Sequence, residues 1–199
     1  MTEQQEPIFG KNNSHHVISY KKFPWVQYQN YFSPQICDLI INKYTKKYTG
    51  YHNNRSSMDI INIFDQYKDI SHSWIIDPIW KLVKDANDSN FLLDINKIYQ
   101  CNILHFGLND EWDFHEDCDW WFNPLPFDKK LTILIELENY TDYNGGAYGC
   151  YMNTVPIPKK FLTKGTVTIF PSYIRYSVEP ITKGNKKILL AFATGPKFR

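Results

Sequence analysis

Charge of one sign is what this sequence most lacks. Lysine and arginine total 22 against 21 aspartates and glutamates, a formal net charge of +1. No field of one sign exists to draw in a nucleic acid or an acidic membrane surface, so neither is expected as a partner. Long apolar runs are missing too: none approaches the roughly 18 residues that a membrane-spanning helix needs. The opening MTEQQEPIFGKNNSHH is polar and carries no apolar core of the kind a secretory signal has, so the expected location is cytoplasmic. Cysteine is scarce and scattered. Cys37, Cys101, Cys118 and Cys150 make no CxxC pair, which argues against a zinc ribbon and against a disulfide framework. They are expected to be reduced thiols, mostly buried as small apolar groups. There is no internal repeat.

What is present points to a packed domain. A chain of 199 residues with 43% hydrophobic and 17% aromatic content is long enough for one substantial core and short for two. Residues 1–20 read as a flexible N-terminal tail and residues 21–199 as a single domain. His15 and His16 fall in the tail, where an adjacent pair is usually incidental. Ser33-Pro34 predicts a helix start, with serine as N-cap and proline in the first turn, and Ile36, Leu39, Ile40 and Tyr44 recur at helical spacing up to a stop at Gly50. Asp77-Pro78 predicts a second start, followed by Ile79, Trp80, Val83 and Ala86 on one face. Between them, YHNNRSSMDIINIFDQYK has no clear period. From Ile98 the character changes to short β-branched and aromatic segments, IYQCNILHF, KLTILIELE, AYGCYM, GTVTIF and KKILLAFAT, separated by Asn, Gly and Pro turns. The expected class is α+β and β-rich: a jelly roll or sandwich with the N-terminal helices packed on the sheet.

One stretch carries chemistry. WDFHEDCD, residues 112–119, sets one histidine among four acidic side chains and a cysteine. If residues 112–117 are extended, His115 and Asp117 share a face while Glu116 points away. An imidazole and a carboxylate so placed supply two members of the two-histidine, one-carboxylate triad that holds iron(II) with positions left open. On spacing alone a solvated acidic loop is the commoner reading of His-x-Asp.

The surroundings change that balance. FSPQICDLI, WIIDPIWKLVKDANDSNFLLDI, WDFHEDC, KKLTILIEL, DYNGGAYGCY, TIFPSYIRYSVEPITKG and the closing GPKFR follow one another in an order that resembles the iron(II)- and 2-oxoglutarate-dependent dioxygenases. The likeness is to their prolyl-4-hydroxylase-like branch, and within it to the small bacterial and viral PKHD-type hydroxylases, and it runs from Phe32 to Arg199. It implies a double-stranded β-helix, cupin-like, with the metal at one mouth of the barrel. It also implies iron(II) as metal, 2-oxoglutarate as co-substrate and ascorbate as a possible reductant. The substrate class implied is a peptide or protein side chain or a small molecule, and the chemistry is oxidative decarboxylation coupled to hydroxylation.

The same resemblance exposes departures. The family's third ligand is a histidine in a phrase like FPSxxxH-x-V-x-P, and FPSYIRYSVEP puts Tyr176 there. His115 is the last of the six histidines, so no other can take the place. Three alternatives stay open: Tyr176 ligates iron as a phenolate, water completes a two-residue site, or no catalytic iron binds and Tyr176 fills the space. The family's cation for the distal carboxylate of 2-oxoglutarate falls on Lys186, with Ile188 in place of the accompanying hydroxyl and Ala147 in place of an aspartate after the paired glycines. Lysine in this role is a point charge without the fork of arginine. Tyr99 and Thr132 are further candidates for co-substrate contact, with barrel packing the competing role for both. DWWFNPLPF beyond the motif is either a lid or ordinary packing under a loop. Two function classes follow: an iron(II)/2-oxoglutarate dioxygenase with a variant His-x-Asp…Tyr site, or a catalytically impaired binding protein on the same fold.

Overall fold

The computed structural model describes residues 17–19, 25–44, 51–52, 59–65, 72–118, 124–150 and 157–198. In chain order the strands are β1 Val17–Ser19, β2 Val26–Tyr28, β3 Tyr51–His52, β4 Asp59–Asp65, β5 Lys97–Phe106, β6 Trp112–His115, β7 Phe127–Glu136, β8 Asn144–Gly145, β9 Tyr148–Cys150, β10 Val167–Pro171, β11 Tyr176–Val178, β12 Ile181–Lys183 and β13 Lys186–Pro196. The helices are α1 Pro34–Tyr44 and α2 Ser73–Ala86.

One large sheet has the order β1-β2-β10-β7-β13-β5-β4-β3, and facing pieces are made by β6-β11-β9 and β12-β8. All the strand pairings are antiparallel. Both faces of the large sheet are covered, and β13 shows how. Ile188, Leu190 and Phe192 point into the space between the sheets, against Tyr148, Tyr176, Val178 and Ile181. Leu189, Ala191 and Ala193 point the other way, against Ile40, Ile79 and Val83 of the helices. A strand buried on both faces reads as a continuous apolar run, as KKILLAFAT does, because each alternate face meets a core. The same parity on β7 sends Leu131, Ile133 and Ile135 to the helices and Leu134 inward.

Local structure departs from the sequence expectation in three places. Val17–Ser19, within the segment expected to be a tail, is a strand on β2. In α1 the buried residues are Cys37, Ile40 and Tyr44, whereas Leu39 is 49% exposed. The spacing 37-40-44 keeps one stripe on the sheet, and Leu39 lies off it. The α2 helix begins at Ser73 and holds Pro78 inside it. Burial of Ile75 extends the helix by a turn N-terminal of the proline, which costs one backbone donor there. The expected stop at Gly50, His15, His16 and residues 119–123, with Trp120, Trp121 and Phe122, lie outside the described residues. Cys37, Cys101 and Cys118 are buried thiols outside any disulfide among the described residues. Burial pushes the Cys37 thiol up to about 12, so it is a packing group and no nucleophile. Among the described residues no helix is long and apolar enough to cross a membrane.

Candidate metal centre

The β6 strand ends at His115, so the closeness of His115 and Asp117 owes little to strand alternation. It comes from the bend that follows. The backbone N–H groups of Asp117 and Cys118 both donate to the carbonyl of Ser172, at 3.0 and 3.1 Å, and Ser172 N–H donates to the Lys130 carbonyl at 3.0 Å. Ser172 follows β10, so the large sheet fixes the turn that carries Asp117. The carboxylate itself is oriented by a chain of hydroxyls. Thr132 Oγ1, inward-facing on β7, donates to Asp117 Oδ2 at 2.7 Å. Its oxygen lies 3.0 Å from Ser172 Oγ, and with the Thr132 proton committed to Asp117 the Ser172 hydroxyl is the donor. Asp117 is buried at 7% exposure with its second oxygen, Oδ1, turned toward His115.

His115 is prepared in a complementary way. Its Nδ1 lies 2.6 Å from the Asp113 carbonyl, an acceptor only, so Nδ1 carries the proton of the neutral ring. Nε2 is left as a bare lone pair. It is buried, has no hydrogen-bond partner among the described residues, and sits 3.8 Å from Asp117 Oδ1. Two donors held about 2.1 Å from a common ion can be up to about 4.2 Å apart, so this separation fits a shared metal. A histidine fixed by a backbone carbonyl on one nitrogen and open on the other is the arrangement metal ligands use. Trp112 stacks on the ring at 4.0 Å between centroids and 24° between planes, holding its orientation.

Tyr176 stands beside it. Its Cα pairs with that of His115 across β6 and β11, and the ring centroids are 4.5 Å apart. The tyrosine is 1% exposed, with Phe170 and Trp112 edge-on to its ring at 5.0 and 5.7 Å. No group of three or more His, Cys, Asp or Glu side chains that could hold a metal occurs among the described residues. The protein donors gathered at this mouth are one imidazole and one carboxylate, with a phenol alongside.

The remaining sequence candidates are spread out. Tyr99 packs edge-on to Phe127, at the start of β7, with centroids 4.8 Å apart. Lys186 points between the sheets, on the inward face it shares with Ile188, and is fully buried. Its ammonium donates to the Gly146 carbonyl at 2.8 Å and lies 3.6 Å from Glu136 Oε2 and 3.9 Å from the centre of the Tyr148 ring. Gly146 can present that carbonyl because its φ of +65° suits a residue without Cβ, which would meet Ile181 Cδ1 at 2.8 Å. Lys187 faces the opposite side and pairs with Glu138 at 2.5 Å. Four residues that sequence reasoning did not single out thus shape the site: Ser172, Trp112, Asp113 through its carbonyl, and Glu136. Trp112, Asp113 and Ser172 stand inside the phrases WDFHEDC and FPSYIRYSVEP, and Glu136 has the parity of Thr132 on one strand.

No family model and no curated protein matches the sequence. Solved structures do match. A viral collagen prolyl hydroxylase from Paramecium bursaria Chlorella virus 1, in complex with 2-oxoglutarate, superimposes with a TM-score of 0.66 at 16% identity over 87% of this chain and 97% of that one. A prolyl-4-hydroxylase from Pseudomonas putida gives a TM-score of 0.68 at 11% identity over 88% and 95%. The fold is that of the prolyl-hydroxylase-like 2-oxoglutarate oxygenases. A third match is a prolyl hydroxylase from Trichoplax adhaerens, in complex with a peptide fragment of the oxygen degradation domain of hypoxia-inducible factor. It gives 0.62 at 17% identity over 86% and 84%. The double-stranded β-helix expected from the sequence is therefore the observed architecture, with helices on the outer face of its larger sheet.

Proposed function

We propose that this chain is a non-haem iron(II) oxygenase of the 2-oxoglutarate-dependent kind that hydroxylates a peptide or protein side chain or a small molecule. The observation that carries the reading is the buried Nε2 lone pair of His115 facing Asp117 Oδ1 at 3.8 Å. A buried imidazole nitrogen without a partner is costly unless a ligand satisfies it. The solved proteins of the same fold support the choice of ligand, and the peptide complex of one of them supports a peptide-like substrate.

Iron(II), when bound, supplies the activation of dioxygen that no side chain can perform. The chain's own residues do the rest. His115 and Asp117 would hold the metal. Ser172 and Thr132 hold Asp117 in one orientation by donating in sequence, and this keeps the carboxylate aimed. Trp112, Phe170 and Tyr176 wall the mouth with rings and exclude water from it. Tyr176 occupies the third protein position, close enough to His115 to border any ion bound there. Lys186 is the buried cation on the inward face of β13 that would meet the distal carboxylate of the co-substrate.

The test is metal content, Mn(II) binding and 2-oxoglutarate decarboxylation measured on one purified sample. Wild type should bind one divalent ion and form succinate, and His115→Ala should lose site-specific binding. Unchanged calorimetric affinity in His115→Ala sinks the assignment. Metal binding without any decarboxylation favours the second reading, a binding protein that keeps the barrel without turnover, for which the tyrosine at the third position is the specific support.

A further inference from the structure

The cation at the deep end of the barrel already has a carboxylate partner. Lys186 is fully buried and Glu136 is 1% exposed, and they lie on neighbouring strands, with Glu136 on β7 paired to Ile188 of β13. Glu136 Oε1 accepts the Tyr148 hydroxyl at 2.6 Å. Its other oxygen, Oε2, lies 3.6 Å from the Lys186 ammonium and has no hydrogen-bond partner among the described residues. The Tyr148 ring closes over the same ammonium at 3.9 Å, and the Tyr143 ring lies 5.4 Å away. The pair is thus a counter-ion arrangement with loose geometry: attraction without a good hydrogen bond. Burial disfavours the charged form of both groups, and mutual attraction opposes that on each. A second carboxylate brought to Lys186 would meet the charge of Glu136 in a medium of low dielectric, where like charges repel strongly.

We propose that Glu136 is a specificity-determining residue of the co-substrate pocket, an internal counter-ion that competes with a ligand's distal carboxylate for Lys186. The inference rests on the oxygenase reading and deepens it. Its consequence is weak selectivity at this end: 2-oxoglutarate gains little from its distal carboxylate over a 2-oxo acid of the same chain with an uncharged tail. A purely structural ion pair would alter stability on mutation and leave that selectivity alone.

The experiment compares calorimetric affinities of 2-oxoglutarate and 2-oxopentanoate for the Mn(II)-loaded protein. Wild type should show a preference for 2-oxoglutarate below about tenfold. Glu136→Gln keeps the shape of the side chain and an acceptor for Tyr148, and should raise that preference by about tenfold or more. A wild-type preference well above tenfold overturns the proposal without any variant, and so does a preference unchanged in Glu136→Gln. The metal-free protein gives a second arm, in which glutarate should raise the melting temperature of Glu136→Gln more than butyrate does, and in wild type no more than butyrate. Failure of wild type to bind Mn(II) counts against the oxygenase reading, and the glutarate arm then still decides the role of Glu136; equal glutarate shifts in both proteins overturn it.

Discussion

Thr132 at the middle of β7 and Glu136 at its C-terminal end mark the two polar regions of the barrel, and these regions solve the burial of charge in opposite ways. Thr132 and Glu136 are four residues apart on one face, about 13 Å along the strand. At the Thr132 end, Asp117 is fixed from behind by hydroxyls while its free oxygen and the His115 lone pair are left facing each other. At the Glu136 end, an acid and a base are buried against each other. The first region is built with an open valence, and the second is neutralised by its own residues. A cluster of buried polar groups is therefore informative about ligands only after its internal partners have been counted. By that count, the mouth keeps an unmet imidazole lone pair, whereas the deep cation already has a partner with which any ligand must compete.

The largest test of this contrast is at the deep end. Lys186→Met should destabilise the protein by roughly 3–5 kcal/mol, because it strands Glu136 in the core without its counter-ion. Glu136→Leu added to it should recover most of the loss in urea denaturation. If the single variant costs nothing, the pair is not the self-neutralised unit described here. At the mouth the expected loss is in affinity more than in fold. Thr132→Val removes the donor to Asp117 and should weaken Mn(II) binding by about 10- to 100-fold, the usual range for a residue that orients a ligand. Calorimetry would check it, and an unaltered affinity would mean that the Ser172 turn alone holds Asp117.

Tyr176→His probes how incomplete the mouth is. Addition of a second imidazole beside His115 should raise divalent-metal affinity by about tenfold or more. A visible charge-transfer band in the oxidised wild type that Tyr176→Phe abolishes would identify the phenolate as a ligand; if Tyr176→His binds no more tightly than wild type, the residue is a wall. The smallest effect lies outside both regions. His105 on β5 is half-buried, and burial, then the charge of Lys187, lowers its pKa from 6.5 against the opposite pull of Asp59, Glu138 and Asp110. The folded state thus favours the neutral ring. The stability this contributes is complete above the unfolded value and falls as pH drops from about 6.5 toward the folded one. His105→Gln should flatten that acid-side slope in denaturation curves recorded between about pH 7 and pH 5, with little change at neutral pH.

The strand segments that became β13 and β7, the two helices and the nearness of His115 to Asp117 were legible in the linear pattern. Periodicity of two or of 3.6 is a local property of backbone geometry. The start of α2 was misplaced because Pro78 reads as a helix start, whereas Ile75, one turn earlier, is held helical by a core that lies elsewhere in the chain. Strand alternation leads one to expect Asp117 near His115, but β6 ends at His115 and the nearness has another cause. The position of Asp117 depends on the carbonyl of Ser172, which is 55 residues away (172 − 117), and no local rule contains that contact.

By itself the sequence determined the class of fold, the absence of a second histidine late in the chain, and the presence of a lysine at the position that resembles a co-substrate site. Those are matters of residue identity and spacing. Tertiary structure alone decided which nitrogen of His115 is free, what orients Asp117, and that Lys186 meets Glu136 before it meets any ligand. Hydrogen bonding and charge pairing act over a few ångströms in space, between groups that strand register brings together from positions 50 residues apart (186 − 136), and charge identity in a linear string does not say which charges will be neighbours.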